Sequence, residues 1–283
     1  MVTNKKKYKI GVALSGGGSR GFAHLAILKA MNEQGVYPEI ISGTSAGALA
    51  AAFYADGHSS EQTLAYFKEA KLKGFIETTL PKGGLFKTTR FESFLKKHLK
   101  ARTFEDLKVP LRIVASDIEE GKSKVFGEGE LIPAILASCC YPIVFCPVEF
   151  NGHYYVDGGL FSNFPVSAIR DECKVLIGVN VSPLKIVPYN NTLKYVIERM
   201  MNFTVGANTL EERKKCDYLI ESRSLSGFST FDIDSAEKVF KKGYKLATTY
   251  LDAHKEELKE DLNGNYITTL KKKVNELLRP EMK

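Results

Sequence analysis

A serine flanked by glycines, in Gly43-Thr44-Ser45-Ala46-Gly47, stands where an apolar strand from Glu39 to Ser42 gives way to a helix of small residues from Ala46 to Ala55. The glycines let a strand reverse into a helix within a few residues, which lifts the serine hydroxyl above the sheet edge and makes Ser45 a candidate nucleophile. The same turn aims the unpaired amides of the helix N-terminus at charge developing beside that hydroxyl. A second group, Ser15-Gly16-Gly17-Gly18-Ser19-Arg20-Gly21, presents a run of main-chain N–H groups. A hydroxyl to attack a carbonyl and fixed donors to hold the resulting oxyanion are what acyl transfer requires. A third, Asp157-Gly158-Gly159, reads either as a carboxylate at a strand end that another chain can approach closely, or as ordinary Asp-Gly turn chemistry.

These groups need elements to bring them together. Tyr8 to Leu14 reads as a buried strand, the glycine loop comes next, and Phe22 to Gln34 forms a helix whose apolar face includes Leu25, Leu28 and Met31. Gly35 stops it, and Pro38 keeps the chain extended into the strand before Ser45. A βαβ unit of this kind places its two strands in parallel by a right-handed crossover. The glycine loop and Ser45 therefore emerge at the same edge, where open α/β sheets bind ligands. Asn151-Gly152 predicts a hairpin pairing Cys146 to Phe150 with His153 to Val156. Further strands are expected at Leu111 to Ser116, Lys174 to Val181 and Tyr218 to Glu221. Helices are expected at Leu131 to Ser138, Thr192 to Arg213, Ser235 to Lys259 and near Thr268 to Leu278.

The glycine loop also fits a rival chemistry. Gly16, Gly18 and Gly21 match G-x-G-x-x-G, the dinucleotide fingerprint of a Rossmann-type protein. That motif expects an acid at the end of the second strand, where this chain has Gly43-Thr44-Ser45, and Glu39 is at the wrong end. No G-K-[ST] follows the loop, which excludes a Walker-type phosphate site. The five histidines offer Ser45 no obvious base: His24, His58, His98 and His254 lie in or beside helices. His153 shares a strand face with Asp157 but stands roughly 13 Å away along it. Asp117, at the end of the third strand, is a rival acid for the same edge.

Taken in order, Gly16-Gly17-Gly18-Ser19-Arg20-Gly21, Gly43-Thr44-Ser45-Ala46-Gly47 and Asp157-Gly158-Gly159 resemble the motifs of the patatin-like phospholipases. Ala137-Ser138-Cys139-Cys140-Tyr141-Pro142 resembles that family's lead into its aspartate, and Phe161-Ser162-Asn163-Phe164-Pro165-Val166 resembles the stretch just after that aspartate. Cys216-Asp217-Tyr218-Leu219-Ile220 and Gly227-Phe228-Ser229-Thr230-Phe231-Asp232 look like the short bacterial members. Ser19 departs from the pattern, standing where a small residue such as alanine is usual. The likeness runs from about Ile10 to about Leu251. It implies a three-layer α/β/α fold with a central mostly parallel sheet, and a hydrolase acting on phospholipid or other lipid acyl esters. It also implies a serine–aspartate dyad, with Ser45 as nucleophile, Asp157 as base and no histidine, metal or cofactor. Gly16, Gly17, Gly18 and Ala46 would supply the oxyanion hole, supported by Arg20, Gly21, Gly43, Gly47, Gly158 and Gly159. An aspartate near its reference pKa of about 4 is a poor base for an alcohol. Burial of Asp157 and oxyanion donors worth about 3 kcal/mol each would have to carry the step.

Composition bounds the rest. A chain of 283 residues with 44% hydrophobic content fits one α/β domain over 1–283, with a catalytic core at about 8–185 and a C-terminal strand and helices at about 190–283. The alternative to an enzyme is a lipid-binding protein with an idle site. Five cysteines without C-x-x-C or histidine spacing argue against a metal site. With no signal peptide and no transmembrane run, they predict a cytoplasmic protein. The net charge of +7, with clusters at Lys5 to Lys9 and Lys271 to Lys273, suits either a solvated exterior or peripheral contact with an anionic membrane surface. No nucleic-acid module appears. Gly74 to Arg90 lacks periodicity and reads as a flap over an acyl groove or as a loop before the helix carrying Phe91, Phe94 and Leu95.

Overall fold

The computed structural model describes residues 6–263 except 71–74, 76, 79–82, 185 and 231. The helix expected near Thr268 to Leu278 and the Lys271 to Lys273 cluster lie outside the described residues. In chain order the strands are β1 (Tyr8–Leu14), β2 (Ile40–Thr44), β3 (Glu77–Thr78), β4 (Gly84–Lys87), β5 (Leu111–Asp117), β6 (Lys122–Phe126), β7 (Ile143–Phe145), β8 (Val148–Phe150), β9 (His153–Asp157), β10 (Cys173–Asn180) and β11 (Tyr218–Glu221). The helices are α1 (Phe22–Glu33), α2 (Ala46–Asp56), α3 (Ser60–Ala70), α4 (Thr89–His98), α5 (Leu131–Cys139), the single turn α6 (Gly159–Ser162), α7 (Leu193–Lys214), α8 (Ala236–Ala253) and α9 (Lys255–Leu262).

The main sheet runs β11-β10-β1-β2-β5-β9-β8, with β6 also paired to β5. Its first five strands are parallel, and β9 runs antiparallel to β5 and β8. Alternation along the strands sorts the core onto two faces. Ile10, Val12 and Leu14 of β1 and Val175, Ile177 and Val179 of β10 join the large apolar layer beneath α1, α2 and α8. Ala13 and Leu176 turn to a thinner layer with Phe164, Val166 and Ile169. Gly178 leaves room on that thin side, where an added Cβ would stand 2.6 Å from the Phe164 ring.

The pairing around β5 decides where the site forms. β6 occupies one edge of β5 from Ile113 to Asp117, so β2 and β9 must share the other edge. Parallel β2 covers Leu111–Val114, with Thr44 opposite Val114, and antiparallel β9 covers Ala115–Asp117, with Asp157 opposite Ala115. The two strands therefore meet head on, and the residues at their ends are Ser45 and Asp157.

Several boundaries differ from the sequence reading. The helix expected over Ser235 to Lys259 breaks at His254, whose Nδ1 lies 2.8 Å from the Tyr250 carbonyl. The segment before α4 contributes two strands: β4 pairs antiparallel with β3 and parallel with β7, making a second, three-stranded sheet. No described helix is long and apolar enough to cross a membrane.

Candidate active site

Ser45 sits between the last residue of β2 and the first of α2 with φ 53° and ψ −122°, a backbone conformation that side chains rarely adopt. The surroundings hold it there. Its N–H donates to Ser138 Oγ at 2.8 Å, and that hydroxyl donates to the Val114 carbonyl at 2.6 Å, so α5 and β5 jointly brace the turn. Gly47 must be glycine because its Cα lies against the Leu14 and Ser15 carbonyls, where an added Cβ would meet Ser15 O at 2.7 Å.

Asp157 ends β9 with its main chain tied on both sides. Its N–H donates to the Cys140 carbonyl at 2.8 Å, and its carbonyl accepts from Ser116 Oγ at 2.9 Å. The carboxyl is buried and accepts from the Gly159 N–H at 2.8 Å and from the Ser45 side chain. Burial dominates its acidity and pushes the pKa from 3.8 up to about 6, against the lowering effect of those two hydrogen bonds. The approach of Gly158 to the junction is close, since a Cβ there would stand 2.9 Å from Thr44 Cγ2.

The glycine loop lies across the same sheet edge and is itself pinned. The Gly16 N–H, expected as an oxyanion donor, is spent on the Asn163 carbonyl at 2.9 Å, which corrects that expectation. Among the described residues no protein acceptor takes the N–H of Gly17, Gly18 or Ala46. Gly18 has φ 56°, where glycine is favoured, and the next residue, Ser19, donates its N–H to the Thr230 carbonyl at 2.7 Å. Arg20 Nε donates to the Gly17 carbonyl at 3.0 Å, and Ser182 Oγ donates to that of Gly16 at 2.8 Å. Gly21 faces Ala46, where an added Cβ would stand 2.5 Å from the Ala46 methyl. Gly43 similarly allows the first turn of α2 to fold back on β2, with an added Cβ 2.6 Å from Gly47.

These groups line one cleft of about 210 Å³. Ser45, Asp157, Arg20, Gly17 and Gly18 stand at one side of it, and Phe22, Leu25, Phe67, Phe75 and Phe91 make an apolar wall. Phe75 belongs to the segment read as a flap, but its ring is buried and packs edge-on against Phe91 and Phe94, so this part of the segment is a fixed wall. Leu160 of α6, Asn163 just after it, and Met201 and Val205 of α7 also line the cleft.

No histidine lines the cleft among the described residues. His24 is fully buried behind the glycine loop with Nε2 2.8 Å from the Ser15 carbonyl, and burial lowers its pKa to about 4. His153 turns from Asp157 to Asp117, with 2.9 Å between Nδ1 and Oδ2. Asp117, the rival acid, is absent from the cleft lining. Its carboxylate accepts the Glu120 and Glu119 N–H groups at 2.9 and 3.0 Å, which hold its pKa below the ordinary value, helped by His153. Glu119 lies beside this pair, its carboxylate accepting the Tyr154 N–H. The five cysteines are free thiols, and burial raises the pKa of Cys139, whose Sγ lies 3.4 Å from the Ser45 carbonyl.

Three residues were missed as site-builders in the sequence. Ser138 and Asn163 lay inside segments noted only for their resemblance, and Ser182 lay in no motif. Asn163 is held by its main chain, donating to Asn208 Oδ1 at 3.0 Å, while its buried side-chain nitrogen has no acceptor among the described residues.

A family profile described as Patatin-like phospholipase matches residues 12–169. Patatin-like phospholipase domain-containing protein 7 of Mus musculus is 34% identical over 182 residues, 61% of this chain and 13% of that protein. An NTE family protein of Mycobacterium bovis is 28% identical over 163 residues, 57% of this chain and 45% of its own length. The chain thus spans less than half the length of these curated relatives. Among solved structures, VipD from Legionella pneumophila is similar in fold, with a TM-score of 0.51 at 15% identity, covering 88% of this chain and 67% of that one.

Proposed function

This chain belongs to the patatin-like phospholipase family, and we propose that it is a lipid acyl hydrolase working through Ser45 and Asp157. The observation that carries the reading is a buried carboxyl, hydrogen-bonded to the strained serine, in an apolar cleft that no histidine lines among the described residues. As Ser45 Oγ attacks the ester carbonyl carbon, its proton passes to the Asp157 carboxylate and the carbonyl electron pair moves onto oxygen. The N–H groups of Gly17, Gly18 and Ala46 receive that oxyanion. Its collapse breaks the ester C–O bond, and the departing alcohol or lysolipid takes the proton from Asp157. Water then gives a proton to Asp157 and attacks the acyl-serine. The second collapse releases the fatty acid and returns the proton to Ser45. Each oxyanion donor is typically worth about 3 kcal/mol. The apolar wall from Phe22 to Phe91 suits an acyl chain, and Arg20 among the lining residues suits an anionic headgroup. The free thiols fit a reducing, cytoplasmic setting, and the basic balance fits peripheral contact with an anionic membrane.

The test is labelling with a serine-directed phosphonate and peptide mapping, run beside ester hydrolysis. Label should map to Ser45 and vanish in Ser45→Ala, with turnover in Ser45→Ala and Asp157→Ala lowered on the order of 1000-fold or more. Label at another residue, or full activity in either variant, would overturn the assignment.

A further inference from the structure

Large exposed apolar side chains are concentrated in one stretch of this protein. Ile186 is 95% exposed and Tyr189 75%, in the segment before α7. On α7 itself Leu193, Val196, Met200, Phe203 and Leu210 are exposed at spacings of three, four, three and seven residues, so they form one stripe along the helix. The opposite side of the same helix is engaged: Met201 and Val205 line the cleft, and Asn208 Nδ2 donates to the Gly159 and Leu160 carbonyls at 2.9 and 3.1 Å. Phe161, on the neighbouring turn α6, is also exposed. The apolar surface thus lies on the outer side of the helix whose inner side lines the cleft, and it extends beyond the helix into a non-helical segment.

We propose that the segment from Leu184 through α7 is the face by which this protein lies on a phospholipid bilayer, bringing the cleft mouth to the lipid. Soluble proteins rarely leave so large a contiguous apolar patch without a use. A partner helix would cover the stripe of α7 alone, whereas a bilayer surface covers the stripe together with the exposed Ile186 and Tyr189 of the segment before it. The charge agrees, since the stretch from Leu184 to Lys214 carries Lys185, Lys194, Arg199, Arg213 and Lys214 against Glu198, Glu211 and Glu212. Arg199 lies 4.4 Å from the Phe203 ring centroid, placing a cation beside an apolar anchor as interfacial helices do. The choice of lipid as occupant rests on the hydrolase reading above, but binding can be measured without turnover.

The chain contains no tryptophan, so a single introduced one reports its own surroundings. In a Ser45→Ala background, Ile186→Trp should shift its emission to the blue on addition of vesicles of phosphatidylcholine and phosphatidylglycerol. Tyr37→Trp, preceding β2 at the opposite edge of the sheet, should not. The combination Ile186→Ser, Leu193→Ser and Met200→Ser should lower vesicle co-sedimentation on the order of 100-fold. With Ser45 intact it should leave hydrolysis of a soluble short-chain ester unchanged. Emission from Ile186→Trp that is blue before vesicles are added, or that shifts with protein concentration alone, would mean that the chain itself or a second copy covers the patch, overturning the proposal. Vesicle binding insensitive to the triple substitution, or no binding, would also overturn it. If instead vesicles bind and the soluble ester is not hydrolysed, the hydrolase reading fails while the docking face stands.

Discussion

Replacing Asp157 by Asn should make this protein more stable at neutral pH while ending its turnover. Burial raises the carboxyl from 3.8 to about 6, so the folded protein holds that proton more tightly than the unfolded chain does. The sign comes from linkage: stability associated with the protonated carboxyl is fully present below 3.8 and is lost as pH rises through about 6. The rise from 3.8 to about 6 corresponds to about 3 kcal/mol at pH 7.5 and about half of that near pH 5. Asn removes the buried charge and keeps an oxygen for the Gly159 N–H, so the variant should gain about 2–3 kcal/mol at pH 7.5, or roughly 4–8 °C in Tm. The assay is thermal unfolding of wild type and Asp157→Asn from pH 4 to 8. The difference in Tm should open between pH 4 and 6 and then stay level. The neutral, buried His24 destabilises both proteins equally in acid, so it cancels in the difference. A Tm difference that does not vary with pH, or a wild type more stable at pH 7.5, would refute the assignment of a buried, charge-bearing Asp157.

For turnover of a soluble ester, kcat/KM should rise about tenfold per pH unit up to about 6 and be flat above, with His153→Gln leaving the profile in place because that side chain pairs with Asp117. Ser138→Ala removes the acceptor of the Ser45 N–H and a donor to Val114, and should cost about 1–3 kcal/mol by chemical denaturation together with a fall in kcat. Gly18→Ala forces a side chain into positive φ against Thr230, and should slow phosphonate labelling on the order of 100-fold by displacing the loop donors. Phe75→Ala should cost about 3–5 kcal/mol and weaken the preference for long over short acyl chains, read from a series of esters of increasing length.

The βαβ unit was legible because every local signal agreed: apolar runs for β1 and β2, the loop glycines, the stop at Gly35 and Pro38. Parallel pairing of Leu14 with Gly43 then puts the loop and Ser45 at one edge, as expected. The hairpin was equally plain from Asn151-Gly152, although its first strand begins at Val148 rather than Cys146. The partners of the loop were not legible. That the Gly16 N–H is already spent depends on Asn163, far along the chain, and no periodicity encodes that contact. β3, β4 and β7 escaped for a related reason, since strands of two to four residues are too short to show alternation and exist only as a set. The break at His254 is tertiary as well: apolar periodicity continues through it, while its imidazole stands edge-on to the ring of Tyr218 in β11.

The meeting of β2 and β9 on one edge of β5 explains how this chain could manage without a histidine. An imidazole base must be delivered on a loop of its own and needs a third group to orient it. Here Ser45 follows the last residue of β2 and Asp157 ends β9, and the two strands converge at Val114 and Ala115, so the sheet register itself sets the separation of the proposed dyad. The carboxyl then needs higher basicity, and burial at the strand junction provides it, raising the pKa to about 6. That same rise appears as lost stability at neutral pH, about 3 kcal/mol, because one desolvation is felt in both equilibria. A substitution that gives the ionised Asp157 carboxylate a further hydrogen-bond donor should therefore lower the break in the pH profile and raise Tm at pH 7.5 together. Gly159→Ser, placing a hydroxyl where an added Cβ lies 3.1 Å from Asp157 Oδ1, is the substitution to make, and movement of one quantity without the other would separate the two effects.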